Sequence, residues 1–369
     1  MAGLYIHVPF CQSRCIYCDF YSTTGQQAKA EAYIAALQRE MRQRKAEAAG
    51  QSIDTLYVGG GTPSSLPIRL LGAMLRSACE SYTLSAGAEV TVEANPDDVS
   101  EEWLAGLSAT PANRISMGVQ TFDDGLLRML HRRHNGQQAR EAVQRCKEAG
   151  YANLSIDLIY GLPGQTLEAW ERDVRSALSL GVTHLSAYAL SYEEGTPLWH
   201  MLAEGQVTEA DEELSLAMYH RLIELTAEAG WQHYEISNFC LPGYHSRHNS
   251  SYWSGLPYLG FGPAAHSYDG DRLRRWNTPH LDEYIASDEP PHGCERLTDD
   301  ELYDEYVMTR LRNREGLDLS QLAPERRTYC LEMARPHLES GKLNIKEGKL
   351  RLSETGIFVS NDIISDLMH

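Results

Sequence analysis

The sequence is short of cations. Its 33 Lys and Arg face 51 Asp and Glu, a formal net charge of −18 with His neutral. That balance argues against nonspecific polyanion binding, which needs a cation surplus at the contact face, so no nucleic-acid partner is expected. It also weakens simple electrostatic attachment to anionic lipid. No run approaches the roughly 18 apolar residues of a membrane helix. The start, Met1-Ala2-Gly3-Leu4-Tyr5-Ile6-His7, lacks a basic n-region and a long apolar h-region, so no signal peptide is expected. Low-complexity tracts and repeats beyond βα units are also missing. These absences point to a cytoplasmic protein that would meet the inner face of a membrane only through partners.

Cysteine is present, and its distribution is informative. In a reducing compartment the eight cysteines are not read as disulfides. Cys79, Cys146, Cys240, Cys294 and Cys330 are scattered and are expected as small buried hydrophobes. Cys11, Cys15 and Cys18 fall within eight residues.

Strand and helix periods alternate through the first half. Strands are expected at 4–8, 56–58, 90–93, 115–119, 154–159 and 184–188. Helices are expected at 28–49, 67–80, from a cap at Ser100, and at 123–130, 136–149 and 166–179. Gly59-Gly60-Gly61 is expected to stop the second strand. Six βα units imply parallel pairing through right-handed crossovers. Polar or glycine-rich clusters end nearly every strand, the habit of a barrel face rather than of one switch point. The expected fold class is α/β, a partial (β/α)6 TIM-like barrel. Residues 1–200 would form it, and 201–290 would extend it with a His/Tyr/Trp-rich segment of little periodicity. Residues 287–296 read as a linker. Residues 291–369 would form a winged-helix-like module from helices at 299–313 and 324–339 and β-like runs at 343–345 and 350–352. It shows no basic helix face, so packing or interaction is expected of it rather than DNA binding.

Cys11-x3-Cys15-x2-Cys18 puts three soft thiolates on a short loop after the first strand. Structural zinc wants four ligands, usually in pairs, and no second Cys-x-x-Cys exists. Zinc completed by a residue such as Asp19, or plain buried thiols, are the alternatives. A four-iron cluster on three cysteines leaves one iron open to an exogenous ligand.

Cys-x3-Cys-x-Tyr-Cys after a first barrel strand resembles the radical S-adenosylmethionine (SAM) superfamily. The resemblance implies a [4Fe–4S] cluster on Cys11, Cys15 and Cys18, with SAM on its open iron. In the family, the reduced cluster cleaves SAM to a 5′-deoxyadenosyl radical. Leu4–Cys11, Gly59–Pro63, Ser116–Gln120 and Asp157–Pro163 are similar to the oxygen-independent coproporphyrinogen III oxidase group. That similarity covers roughly residues 2–200 and continues more loosely beyond. It implies that Tyr5 and Tyr17 flank cluster and SAM. Gly60, Gly61 and Thr62 would meet the amino end of SAM, with Glu93 on its ammonium or a ribose hydroxyl. Gln120, Arg132 and Asp157 would contact carboxylate, ribose or a second ligand.

Two departures argue against coproporphyrinogen oxidation. Phe20 stands where the decarboxylating oxidases carry a fourth cysteine, and only ten residues precede Cys11, where they have a longer arm. Both features resemble the HemW-type heme chaperones. So does His248-Asn249-Ser250-Ser251-Tyr252-Trp253, followed by His266. Heme takes an axial His and flat aromatic walls. His248, Asn249, Tyr252, Trp253 and His266 are the candidate heme contacts, with Tyr258 as a further wall. Arg272, Arg274 and Arg275 would pair with propionates. Heme would oppose the net charge, so its capture would rest on stacking, ligation and local arginines.

The resemblance thus implies a chaperone that binds cluster, SAM and heme and passes heme to acceptor proteins, membrane-associated respiratory enzymes among them, and that forms a homodimer. Alternatives are coproporphyrinogen III oxidation and a non-catalytic zinc-binding interaction module.

Overall fold

Period-two alternation sorts the first six strands into two faces. In β1 (Ala2–Val8), Leu4, Ile6 and Val8 are fully buried on one face and Tyr5 and His7 lie on the other. The pattern repeats in β2 (Ile53–Gly60), β3 (Leu84–Ala94), β4 (Arg114–Gln120), β5 (Asn153–Tyr160) and β6 (His184–Ala189). The intervening helices are α1 (Ala30–Gln43), α2 (Ile68–Ser81), α3 (Glu101–Ser108), α4 (Asp124–Met129), α5 (Gly136–Glu148) and α6 (Leu167–Ser179). Apolar strand residues such as Val58, Val92, Met117 and Ile156 join Leu37, Met74, Leu104, Val143 and Trp170 of the helices in one core. The polar residues are left on the other face, among them Tyr57, Glu93, Arg114, Ser116 and Asp157.

The computed structural model describes residues 2–48 and 50–369. Met1 and residue 49, the expected end of the first helix, lie outside the described residues. Strands β1 to β6 pair parallel in sequence order, as expected of a partial (β/α)6 barrel. The elements that follow are α7 (Pro197–Ala203), α8 (Glu212–Glu228), β7 (Gln232–Glu235), β8 (Asn238–Cys240), α9 (Arg247–Trp253), β9 (Tyr258–Phe261), β10 (His266–Tyr268), β11 (Leu273–Asn277), α10 (Leu281–Ala286) and β12 (His292–Arg296). The twelve strands run in the order β12-β11-β10-β9-β1-β2-β3-β4-β5-β6-β8-β7, so the sheet stays open between β12 and β7.

Several expectations need correction. The helix expected over 28–49 stops at Gln43. Arg44 turns inward there, ion-pairs with buried Glu40 (2.9 Å) and donates to the Gly260 carbonyl (2.7 Å). Strand β2 continues through Gly59 and Gly60, which pair with His7 and Val8. The aperiodic 233–280 stretch holds short strands that lengthen the sheet at both ends. The 287–296 linker contains β12, paired antiparallel with β11. Of the scattered cysteines, Cys146, Cys240 and Cys330 are buried, but Cys79 and Cys294 are exposed. The expected cap holds: Ser100 Oγ accepts from Trp103 N at 3.1 Å.

The C-terminal region has a core of its own, including Tyr303, Val307, Leu317, Ala334, Leu350 and Ile363. Helices α11 (Asp299–Leu311) and α12 (Pro324–Glu339) pack with a small sheet of β13 (Leu317–Asp318), β14 (Leu343–Lys346) and β15 (Lys349–Leu352). Two further helices, α13 (Glu354–Ile357) and α14 (Ser360–Leu367), close it; sequence periodicity had not indicated them. Thr298 and Glu301 form the capping box that starts α11.

Candidate functional site

The cysteine loop is clamped at both ends. Cys11 N donates to the Thr23 carbonyl (2.9 Å) and Thr23 N returns a bond to Pro9 (2.7 Å). Ile16 anchors the middle in a small apolar cluster with Leu130, Ile159, Leu162 and Leu198. Cys11, Cys15 and Cys18 therefore all line one cavity of about 480 Å³ at the strand ends. Among the described residues, no three His, Cys, Asp or Glu side chains are arranged to hold a single metal ion.

The opposite wall is glycine backbone. Gly61 N donates to Val8 O (2.7 Å) and Thr62 N to Phe10 O (2.8 Å). A Cβ on Gly61 would lie 2.8 Å from Phe10 O, 2.9 Å from Val8 O and 3.1 Å from Cys11 Sγ, so only glycine fits. Two donors face the thiols: Thr62 Oγ1 to Cys11 Sγ at 3.4 Å and Arg132 Nη1 to Cys15 Sγ at 3.3 Å. Burial raises the Cys11 thiol and takes Cys18 to about 11, so ligand formation by these groups releases protons.

Two half-buried carboxylates line the same cavity. Glu93 accepts from Tyr57 OH (2.7 Å) and Gly60 N (3.2 Å). Burial, reinforced by Asp157, lifts it to about 7. Burial also raises Asp157 to about 6, against hydrogen bonding by Ser186 and the charge of Arg114. Arg132 Nη2 is held by Asn95 Oδ1 (2.7 Å) and by the Gly118 carbonyl. The buried Nε atoms of Arg114 and Arg132 have no hydrogen-bond partner among the described residues. Gln120 follows a register shift at the end of β4 and takes φ 71°, a strained conformation for a residue other than glycine.

The structure thus brings together around one cavity Cys11, Cys15, Tyr17, Cys18, Gly60, Gly61, Thr62, Glu93, Gln120, Arg132, Asp157 and Asn249. Tyr57, Asn95, Arg114, Ser116, Ser186 and Tyr188 line it too. Sequence reasoning missed them, although the alternation Arg114-x-Ser116-x-Gly118 marks one face of β4.

Tyr5 is not in that cavity. It lines a second one of about 390 Å³ with His7, Asp19, Phe20, Tyr21, Tyr252, Tyr258, Ala264 and His266. The remaining heme candidates separate. His248 is buried and lines neither cavity; it lies 2.8 Å from Thr55 Oγ1 and 2.9 Å from Tyr252 OH and stacks on Tyr57 at 5.1 Å. Burial, then Arg114, lowers it to about 3. Trp253 lies under the Arg312 guanidinium at 5.9 Å. The three arginines expected to be free for propionates face carboxylates: Arg272 on Asp299 (2.5 Å), Arg274 on Glu305 (2.5 Å) and Arg275 near Glu47 (3.6 Å).

An open parallel barrel with three thiols, a glycine wall, two arginines and two half-buried carboxylates at its strand ends is a cofactor site of radical SAM type. The radical SAM superfamily profile matches residues 5–177 and the HemN C-terminal domain profile matches residues 297–359. Coproporphyrinogen III oxidase (HemN) from Escherichia coli superposes with a TM-score of 0.85 at 24% identity, covering 100% of this chain and 90% of that one, and so shares the fold. The heme chaperone HemW of Mycobacterium tuberculosis is 35% identical over 99% of this chain and 94% of its own length. That of Bacillus subtilis is 34% identical over 98% of both. The mitochondrial radical S-adenosyl methionine domain-containing protein 1 of Bos taurus is 31% identical over 100% of this chain and 87% of its own. The chain belongs to the HemW heme chaperone family of the radical SAM superfamily.

Proposed function

We propose that the chain is a heme chaperone: it binds a [4Fe–4S] cluster, SAM and heme, and delivers heme to acceptor proteins. One observation carries this over porphyrinogen oxidation. Three clustered thiols meet the cavity among the described residues, and Phe20, 65% exposed at its rim, stands where the resembling oxidases have a fourth. The near-full-length similarity to proteins named heme chaperones supports the same reading.

Cys11, Cys15 and Cys18 would hold the cluster, with Thr62 and Arg132 stabilising thiolate charge through the hydrogen bonds given above. Cluster and SAM together supply one-electron chemistry when bound. Glu93, accepting from Tyr57 and Gly60, suits an ammonium or ribose hydroxyl. Arg114 and Arg132 line the cavity, and their guanidinium charge suits a carboxylate. Asp157 and Gln120 would take hydroxyl or amino groups, and Tyr17 covers the thiols. No described helix is long and apolar enough to cross a membrane. Acceptors would include membrane-associated respiratory enzymes, reached from the cytoplasm, and the working form would be a homodimer.

The test is heme handover. The anaerobically reconstituted chain should carry about four irons. Loaded with one heme, it should pass that heme to an apo-hemoprotein. Failure to bind heme saturably would end the reading.

A further inference from the structure

The second cavity has features of a metal-porphyrin dock that the sequence motif around His248 lacks. Both ring nitrogens of His248 are engaged inside the barrel, and the residue is 1% exposed. His7 is in the same position, with Nε2 2.8 Å from Tyr21 O and Nδ1 3.1 Å from Tyr5 OH. His266 differs. It is exposed, its imidazole has no hydrogen-bond partner among the described residues, and it stacks on Trp276 at 6.1 Å. Its presentation is built in: Gly262 is pressed against β1, where a Cβ would lie 2.5 Å from His7 O, and Ala264 holds φ 63°. A left-handed alanine two residues before an unpartnered imidazole is strain of the kind found at ligand sites. Phe20 and Tyr258 supply apolar rings beside it.

We propose that heme docks by one edge in this second cavity, with the His266 imidazole as its axial iron ligand and Phe20 and Tyr258 as walls. The proposal rests on the heme-chaperone reading and specifies its site. Ligation is a lone-pair donation from a ring nitrogen to iron, which displaces an iron-bound water without redox change. At about 390 Å³ the cavity grips an edge rather than the whole macrocycle. The opposite axial face therefore stays open to an acceptor's ligand, as handover requires. Asp19 and Phe20 line both cavities, so the loop that carries the thiols is also a wall of the heme dock.

The test titrates ferric heme into the full-length reconstituted chain and into H266A and H248N. H266A should lose the imidazole-ligated Soret band and bind roughly tenfold or more weaker, and added imidazole should restore the band. Folded H248N should keep the wild-type spectrum. An unchanged H266A spectrum, or loss of ligation in folded H248N, overturns the proposal while leaving the chaperone reading intact. Absence of saturable binding to the wild type overturns both.

Discussion

Replacing Glu93 with Gln removes a charge from the cavity and keeps the side-chain shape. Burial and the Asp157 charge hold the Glu93 carboxyl at about 7 instead of its ordinary 4.5. Between those values the folded chain keeps a proton that the unfolded chain has released. Stability contributed by this group is therefore greatest below pH 4.5 and falls as pH rises through 7. The shift corresponds to about 3 kcal/mol at roughly 1.36 kcal/mol per unit. The variant is neutral throughout and escapes that loss. Its altered bonding to Tyr57 and Gly60 displaces the comparison by a constant, so the pH dependence of the difference carries the test. Urea unfolding of wild type and E93Q, followed by tryptophan emission without cofactors, should show the variant gaining up to about 3 kcal/mol on the wild type from pH 4.5 to 8. A stability difference that stays flat across that range would refute the reasoning.

G61A places a methyl against two carbonyls and Cys11 Sγ; it should cost about 1–3 kcal/mol in thermal unfolding and lower the iron retained after reconstitution. H248A leaves Thr55 Oγ1 and Tyr252 OH unpaired around a cavity; about 2–4 kcal/mol of stability should be lost, read by denaturant midpoint. T62V removes the hydrogen bond to Cys11 Sγ, and iron loss to a chelator should be several-fold faster than in the wild type.

The first half of the fold was legible because each βα unit states its pattern locally: apolar alternation, a cap such as Ser100, a glycine at the strand end. What escaped depends on distant partners. Helix α1 ends at Gln43, where Arg44 turns in to the Gly260 carbonyl, a partner 216 residues away in sequence. Strands of three to five residues between 232 and 296 borrow their pairing from sheet edges and have too little length to show a period. The cysteine, glycine and carboxylate positions were readable because chemistry restricts residue type there. His248 was not, since a histidine buried against Thr55 and Tyr252 looks the same in sequence as a ligand. Tyr5 was expected beside the cluster; it shares a face with Tyr57, on which it stacks at 6.2 Å, but lines the second cavity. Arg114, 2% exposed, was hidden because a lone arginine ordinarily reads as surface.

The central claim is that this chain carries heme rather than decarboxylating a porphyrinogen. The most direct measurement adds ferric heme to one half of a reconstituted sample and coproporphyrinogen III with SAM and reductant to the other. The account predicts a saturable Soret change and no protoporphyrinogen. Protoporphyrinogen formed with SAM cleavage, in a sample that binds no heme saturably, would contradict it.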